Sequence, residues 1–240
     1  MSPIFADIVT DNDRVAPGAV LHVEVIADFV CPFSYLGKRS LDIAMQAVQG
    51  PSDVNWYPYQ LNPQMPESGI SLEDYLTQRF GSPAGIQPVL DRLLAEGRKA
   101  GIEFRFDRVK RVPNTLAAHQ VMYRAETEGK NQSALAEEFM SAFFVHGENI
   151  GETDVLVELA GRHGLDAADV VQVIEDDAAR QIVLSREIQV RASGIAGVPG
   201  FLLNRHLLLI GAQSTDYMVN AFDRAMFGDG DGEIVSPALH

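Results

Sequence analysis

The chain has 240 residues, 46% apolar and 22% charged, with 33 acidic side chains against 19 Lys and Arg for a formal net charge of −14. That length supports one large domain or two lobes with a sizeable core. The acidic balance excludes a nucleic-acid partner, which calls for a basic face. A membrane span is excluded because no stretch reaches the ~20 consecutive apolar residues that one needs.

Residues 1–19 read as a flexible arm ending in Ala16-Pro17-Gly18. The arm has neither a basic start nor a continuous apolar run, so it is not a secretory signal. Leu21, Val23 and Val25 then alternate with His22 and Glu24, the pattern of a strand with one buried face. The strand runs out at Asp28. Three residues later stands Cys31, the single cysteine of the chain, followed at once by Pro32. From Ser34 the apolar positions Leu36, Leu41, Ile43, Ala44 and Ala47 recur at helical spacing, predicting a helix to about Gln49 with Cys31 in its first turn. Gly50-Pro51-Ser52-Asp53 is a turn signal. Val54 to Leu61 alternates as a second strand and is stopped by Asn62-Pro63. One helix between two strands implies that they are parallel neighbours.

Residues 64–194 read as an all-helical insertion. Ser71-Leu72-Glu73-Asp74 is a capping box that opens a helix to about Phe80. A second helix runs from Ala84 or Ile86 to Ala100, and Ile102 to Phe106 reads as a short extended piece. Asn114 caps a helix carrying Leu116, Ala117, Val121 and Met122, and others run from Ser133 to His146, Thr153 to His163, Asp166 to Ile174 and Asp176 to Ala192. Strands return at Val198 to Leu203 and His206 to Ile210, and their tight Asn204-Arg205 link makes them an antiparallel hairpin. A last helix runs from Ser214 or Thr215 to Phe227, and 228–240 reads as a mobile tail. The order is β-α-β, helices, β-β-α: a discontinuous α/β domain, 20–63 with 195–227, interrupted by 64–194.

A cysteine at a helix start has a chemical meaning. Backbone N–H groups there lack intrahelical acceptors, and the helix dipole adds positive potential. A thiolate is stabilised, and its pKa is expected to fall from about 8.5 to roughly 3.5–7.5. Pro32 suits the first helical position, and Ser34 is within reach to donate a hydrogen bond to the sulfur. The alternative is a buried, inert cysteine, the commoner state of a lone one. With one cysteine no internal disulfide can form, so a cytoplasmic location is the default, and any disulfide of Cys31 joins another molecule. The histidines offer less. His119 lies among apolar neighbours, as a packed core residue does, while His146 and His163 end helices, where they complement the dipole. No metal-ligand spacing is present. Gly194, Gly197 and Gly200 precede a strand and make no phosphate loop.

Cys31-Pro32-Phe33-Ser34-Tyr35 on a first helix, Gly197-Val198-Pro199 before a hairpin, and a helical insertion after the second strand resemble the DsbA-like thioredoxin fold. Asp28 through Lys38, Gly211-Ala212-Gln213 and Pro113 through His119 are similar to its FrnE-like branch, which also holds 2-hydroxychromene-2-carboxylate isomerase and kappa-class glutathione transferases. The resemblance covers about residues 20–227. It implies a cis Val198–Pro199 peptide whose exposed Val198 backbone pairs with the cysteinyl part of a peptide or of glutathione. The alternative is that Gly197 to Gly200 is only a tight turn. Dithiol relatives carry a second cysteine where this chain has Ser34, and a serine hydroxyl cannot resolve a mixed disulfide without strong activation. The isomerase and transferase relatives carry serine where this chain has Cys31. The sequence stands between the two groups.

Three functions are compatible with this reading. In the first, Cys31 forms mixed disulfides that glutathione or another thiol resolves. In the second, Cys31 or Ser34 stabilises a bound glutathione thiolate for isomerisation or transfer on a small electrophile. In the third, the site binds a thiol or peptide without turnover. Catalysis is assigned to Cys31 and Ser34, and substrate or glutathione contacts to Pro32, Phe33, Val198, Pro199, Asn62, Ser214 and Thr215. The start of the last helix, Ser214 to Asp216, can hold a carboxylate such as that of a γ-glutamyl group, or it is ordinary N-capping. Asn62 can equally serve only its turn. Phe33 and Tyr35 can wall an apolar pocket, while Trp56 suits the core better. No resident cofactor or metal is expected, glutathione is the expected co-substrate, and the transferase relatives imply a homodimer.

Overall fold

The computed structural model describes residues 20–81, 83–227 and 233–235; the arm, 1–19, lies outside the described residues. The chain divides into two compact units, Met1–Tyr59 with Leu184–His240, and Gln60–Val183. These divisions fall at 59/60 and 183/184, whereas the sequence pattern placed them at 63/64 and 194/195.

The first unit is built on a sheet of order β2-β1-β5-β6-β7. β1 (Leu21–Ala27) runs parallel to β2 (Ser52–Pro58) and antiparallel to β5 (Gly200–Leu203). β5 pairs antiparallel with β6 (Leu207–Ile210), and β6 pairs parallel with β7 (Glu233–Val235). The tail reading is therefore corrected for 233–235; residues 228–232 and 236–240 lie outside the described residues. Helix α1 (Pro32–Met45) links β1 to β2 and ends four residues short of the expected Gln49, since Gln46 and Ala47 only turn back onto Ile43 and Ala44.

From Val23 onward β1 is buried on both faces, because Glu24 and Ile26 are buried along with Val23 and Val25, while His22 is half-buried. The expected single buried face is thus corrected by β1's central place in the sheet. Glu24 tolerates enclosure because Arg205 Nε donates to its Oε1 at 3.2 Å. Burial still holds its carboxyl above the usual range, against the pull of the guanidinium.

The hairpin link is a two-residue turn with φ of 45° at Asn204 and 58° at Arg205, left-handed values that suit the right-handed twist of flanking strands. Asn204 makes the turn a joint. Its Oδ1 accepts from His22 N at 2.8 Å and its Nδ2 donates to Ala225 O at 3.1 Å. Ala225 lies on the helix that follows the hairpin, Thr215–Phe227, which packs on α1 and β1.

The second unit is helical apart from a two-residue ladder between β3 (Ile70–Ser71) and β4 (Arg111–Val112), which the sequence pattern did not predict. Helix α2 (Leu72–Phe80) starts as the capping box requires, with Ser71 Oγ accepting from Asp74 N at 3.0 Å. It ends at Gly81 in the left-handed conformation. A 3₁₀ turn, Pro83–Ile86, leads into α3 (Gln87–Lys99). Residues 102–106, read from the sequence as a short extended piece, join neither sheet. Their alternation brings Phe104 and Phe106 together as a stacked pair 5.1 Å apart, and Phe144 meets Phe104 edge-on at 5.4 Å. The alternation serves an aromatic cluster.

Helices α4 (Leu116–Thr127), α5 (Gln132–Ser141), α6 (Thr153–Gly161) and α7 (Ala167–Glu175) pack on one another around Val121, Leu135, Phe139, Leu156 and Val170. Asn114 caps α4 from two residues ahead, its Oδ1 accepting from Leu116 N at 2.9 Å while its Nδ2 donates to Met65 O at 2.7 Å. The helix expected from Ser133 to His146 instead begins after an Asn131 cap and widens into a π turn at Ala142–His146. Helix α8 (Asp177–Ala192) contains the 183/184 division, and Thr215–Phe227 is α9.

Candidate active site

The chain leaves β1 at Ala27 and makes one tight turn, with Cys31 N donating to Asp28 O at 3.2 Å. Cys31 is then the N-cap of α1, with extended φ of −95° and ψ of 113°, and Pro32 opens the helix. The cysteine stands one residue before the first helical turn, where its carbonyl accepts from Tyr35 N. Cys31 is 3% exposed and Ser34 1%, while the neighbouring Phe33 is exposed at 38%.

The thiol faces the loop before β5. Cys31 Sγ donates to Val198 O at 3.7 Å, and the Val198–Pro199 peptide is cis. Val198 lies outside the β5 ladder, and among the described residues no backbone hydrogen bond engages its N–H. Pro199 is fastened from behind, since its carbonyl accepts from Gly211 N at 2.7 Å. This close approach depends on Gly37, where a Cβ would stand 2.9 Å from Pro199 Cγ and 3.0 Å from Phe201 Cζ. Any side chain at 37 would push α1 off the loop that meets its sulfur.

The electrostatics reverse one expectation. Burial pushes the Cys31 thiol up from its ordinary value, more than its neighbours pull it down. The Ser34 hydroxyl is the largest downward influence, followed by the Ser34 N–H; the Asp28 charge raises the pKa again, and the Phe33 N–H lowers it slightly. Ser34 Oγ is buried without a hydrogen bond of good geometry, so its dipole acts on the sulfur without a formed bond. The Val198 carbonyl accepts from the neutral thiol and would face a thiolate with its negative end. The low pKa expected from the helix start is therefore corrected: the N–H groups are in place, but enclosure outweighs them.

The site residues read from the sequence fall into two sets. Cys31, Pro32, Phe33, Ser34, Val198 and Pro199 gather at the start of α1. Ser214 and Thr215 open α9 in the same unit, where Ser214 Oγ accepts from Tyr217 N at 3.2 Å as an N-cap. Asn62 belongs to the helical unit, in a turn where its carbonyl accepts from Met65 N at 2.9 Å. Sequence reasoning missed Asp28 and Gly37 as parts of the site. Asp28 is wholly buried, and its position three residues before the cysteine was the available signal. Gly37 was a glycine inside a helical run and part of the Asp28-to-Lys38 stretch singled out in the sequence, but neither showed what it approaches. Among the described residues no group of three His, Cys, Asp or Glu side chains forms a candidate metal centre, and no helix is long and apolar enough to cross a membrane.

The arrangement is a cysteine at a helix start facing the residue before a cis-proline, on a β-α-β…β-β-α sheet. The family model that matches residues 22–223 is the DSBA-like thioredoxin domain. The chain belongs to that family. Among solved structures, this DSBA-like chain is similar to the probable DsbA oxidoreductase SCO1869 of Streptomyces coelicolor, at 28% identity and a TM-score of 0.78 over 85% of this chain and 89% of that one. It shares its fold with a 2-hydroxychromene-2-carboxylate isomerase, at 16% identity and a TM-score of 0.64 over 83% and 93% of the two chains. The fold also matches the cytosolic disulfide reductase DsbM of Pseudomonas aeruginosa, solved with GSH, at 20% identity and a TM-score of 0.59 over 84% and 95%.

Proposed function

We propose that this DSBA-like chain is a single-thiol thiol–disulfide oxidoreductase that exchanges Cys31 with small disulfides. The observation that carries the reading is Cys31 Sγ, 3.7 Å from Val198 O, with serine in place of a resolving cysteine at position 34. The Cys31 thiolate attacks one sulfur of a disulfide RSSR, forming Cys31–S–SR and releasing RS⁻. A glutathione thiolate then attacks the R-bearing sulfur, frees the Cys31 thiolate and leaves as RSSG. These two steps sum to an exchange, RSSR + GS⁻ → RS⁻ + RSSG, with Cys31 returned unchanged. A second glutathione thiolate then converts RSSG to RS⁻ and GSSG, which completes the two-electron reduction of the substrate. The free N–H of Val198 supports docking of the incoming chain in strand fashion. Phe33 and Pro32 provide an apolar lip, and the enclosure of Cys31 favours small substrates over folded proteins. Glutathione is the co-substrate in this reading, and a single cysteine with no internal partner suits a reducing cytoplasm.

A second reading has its own observation. A thiol held neutral by burial is a hydrogen-bond donor, and Cys31 already donates to Val198 O. In that state it stabilises a bound glutathione thiolate during isomerisation or transfer on a small electrophile, much as a serine hydroxyl at this position does.

Cys31→Ser separates the two. The parent protein incubated with glutathione disulfide is expected to gain one glutathione adduct at Cys31 by intact mass, and to reduce a small disulfide in the presence of reduced glutathione. Both are lost in Cys31→Ser under the first reading. Glutathione-dependent isomerisation that survives in Cys31→Ser moves the assignment to the second reading. An adduct with no turnover of any kind in the parent leaves a thiol-binding module.

A further inference from the structure

The helical unit carries a cleft that thiol chemistry does not explain. It has a volume of about 420 Å³, within the range of small-molecule sites, and lies between α2 and the turn at residues 62–66. Tyr75, Gln78 and Arg79 present one face of α2 to it, at the i, i+3 and i+4 spacing that puts side chains on a common stripe. No residue of α2 is buried. Its cleft-facing stripe has therefore not been filled by packing.

The chemistry of the lining is one-sided. In a chain of net charge −14, Arg79 is, among the described residues, the one charged side chain on the cleft wall, with no Asp or Glu beside it there. Among the described residues the side chains of Tyr75, Gln78 and Arg79 make no hydrogen bond or ion pair. Asn62 also lines the cleft, and its Nδ2 is a buried donor with no acceptor among the described residues. A secluded N–H of that kind costs free energy until something accepts from it. Met65, Ile70 and the two prolines of the turn supply apolar surface beside these donors.

We propose that this cleft binds a small organic acid: an apolar body against Met65 and Ile70, and a carboxylate held by Arg79 and Tyr75 with Asn62 Nδ2 as a further donor. Guanidinium groups bind carboxylates through two parallel N–H bonds, and the missing acceptor at Asn62 is what a carboxylate oxygen provides. The inference goes beyond the thiol reading, since it needs neither Cys31 nor a sulfur in the ligand.

The test uses the full chain with 1-naphthoate, and 1-naphthamide as the neutral control on the same apolar body, with binding followed by calorimetry. Naphthoate is expected to bind saturably, and naphthamide roughly tenfold or more weakly, as loss of a charge-assisted contact implies. Arg79→Gln brings naphthoate down to the naphthamide level, and Tyr75→Phe gives a smaller loss. Both residues lie on a helix without buried positions, so the variants keep the fold. Absence of saturable naphthoate binding, equal binding of acid and amide, or unchanged affinity in Arg79→Gln overturns the proposal. Cys31→Ser retains naphthoate binding and Arg79→Gln retains the Cys31 adduct, so the two assignments fail separately.

Discussion

Two helices of the first unit begin in opposite ways. At α9, Ser214 Oγ accepts from Tyr217 N and Ser214 O from Met218 N, so the start is closed by its own cap. At α1 the residue in the same position is Cys31, which makes no side-chain cap bond. Pro32 removes one donor, and the Phe33 and Ser34 N–H groups act on the sulfur as a favourable field. A capping oxygen consumes the positive potential of a helix start in stabilising the fold. A sulfur leaves that potential available to a charge that comes and goes. The sequence left the α9 start as either a carboxylate site or an ordinary N-cap, and the Ser214 bond makes it the N-cap.

The comparison breaks most severely at Gly37. Gly37→Val forces side-chain carbons into Pro199 and Phe201, where a Cβ alone would meet Pro199 Cγ at 2.9 Å. Overpacking of this kind costs about 1–3 kcal/mol, and the modest gain in helix propensity over glycine does not repay it. The variant is expected to unfold at lower urea. Its Cys31 is expected to alkylate faster, because α1 is pushed away from the Val198 carbonyl that covers the thiol. Ser214→Ala is the contrasting change. Loss of the α9 cap lowers stability by about 1 kcal/mol and leaves the alkylation rate of Cys31 as it was. A change in thiol reactivity in Ser214→Ala would show that the two helix starts act on one site.

Features set by local chemistry were legible in the sequence. Ser71 with Asp74 marked the start of α2, Asp166 that of α7, and Asn204-Arg205 the hairpin turn, because each satisfies backbone groups within a few residues of itself. Cys31 before Pro32 marked the start of α1 in the same way. What escaped depends on residues distant in the chain. The burial of Cys31 follows from the approach of α1 to Pro199, which Gly37 permits. The stretch Ile102 to Phe106 alternates as a strand does, but it finds Phe144 in place of a neighbouring strand. β7 has only three residues, and its pairing with β6 leaves no periodic trace.

The finest test of the open helix start is its pH dependence. Because burial holds the Cys31 pKa above its ordinary value, the log of the iodoacetamide alkylation rate is expected to climb with pH through about 8.5 without levelling. A plateau below that pH would restore the stabilised thiolate. The sign for stability follows from linkage. A pKa raised on folding means that the native protein holds the proton more tightly. The Cys31 contribution is therefore fully present below the unfolded pKa and is lost as pH rises through the native one. Comparison with Cys31→Ser isolates that alkaline loss from the lysines and tyrosines that titrate nearby. Ser34 then refines the picture, as the largest of the groups pulling the pKa down. Ser34→Ala is expected to move the alkylation profile further to alkaline pH and to slow reaction at pH 8. Since Ser34 Oγ lacks another partner, this happens with little change in unfolding midpoint. An unmoved profile would mean that the Ser34 and Phe33 N–H groups alone offset the burial, and that the hydroxyl has no part in the reactivity of the thiol.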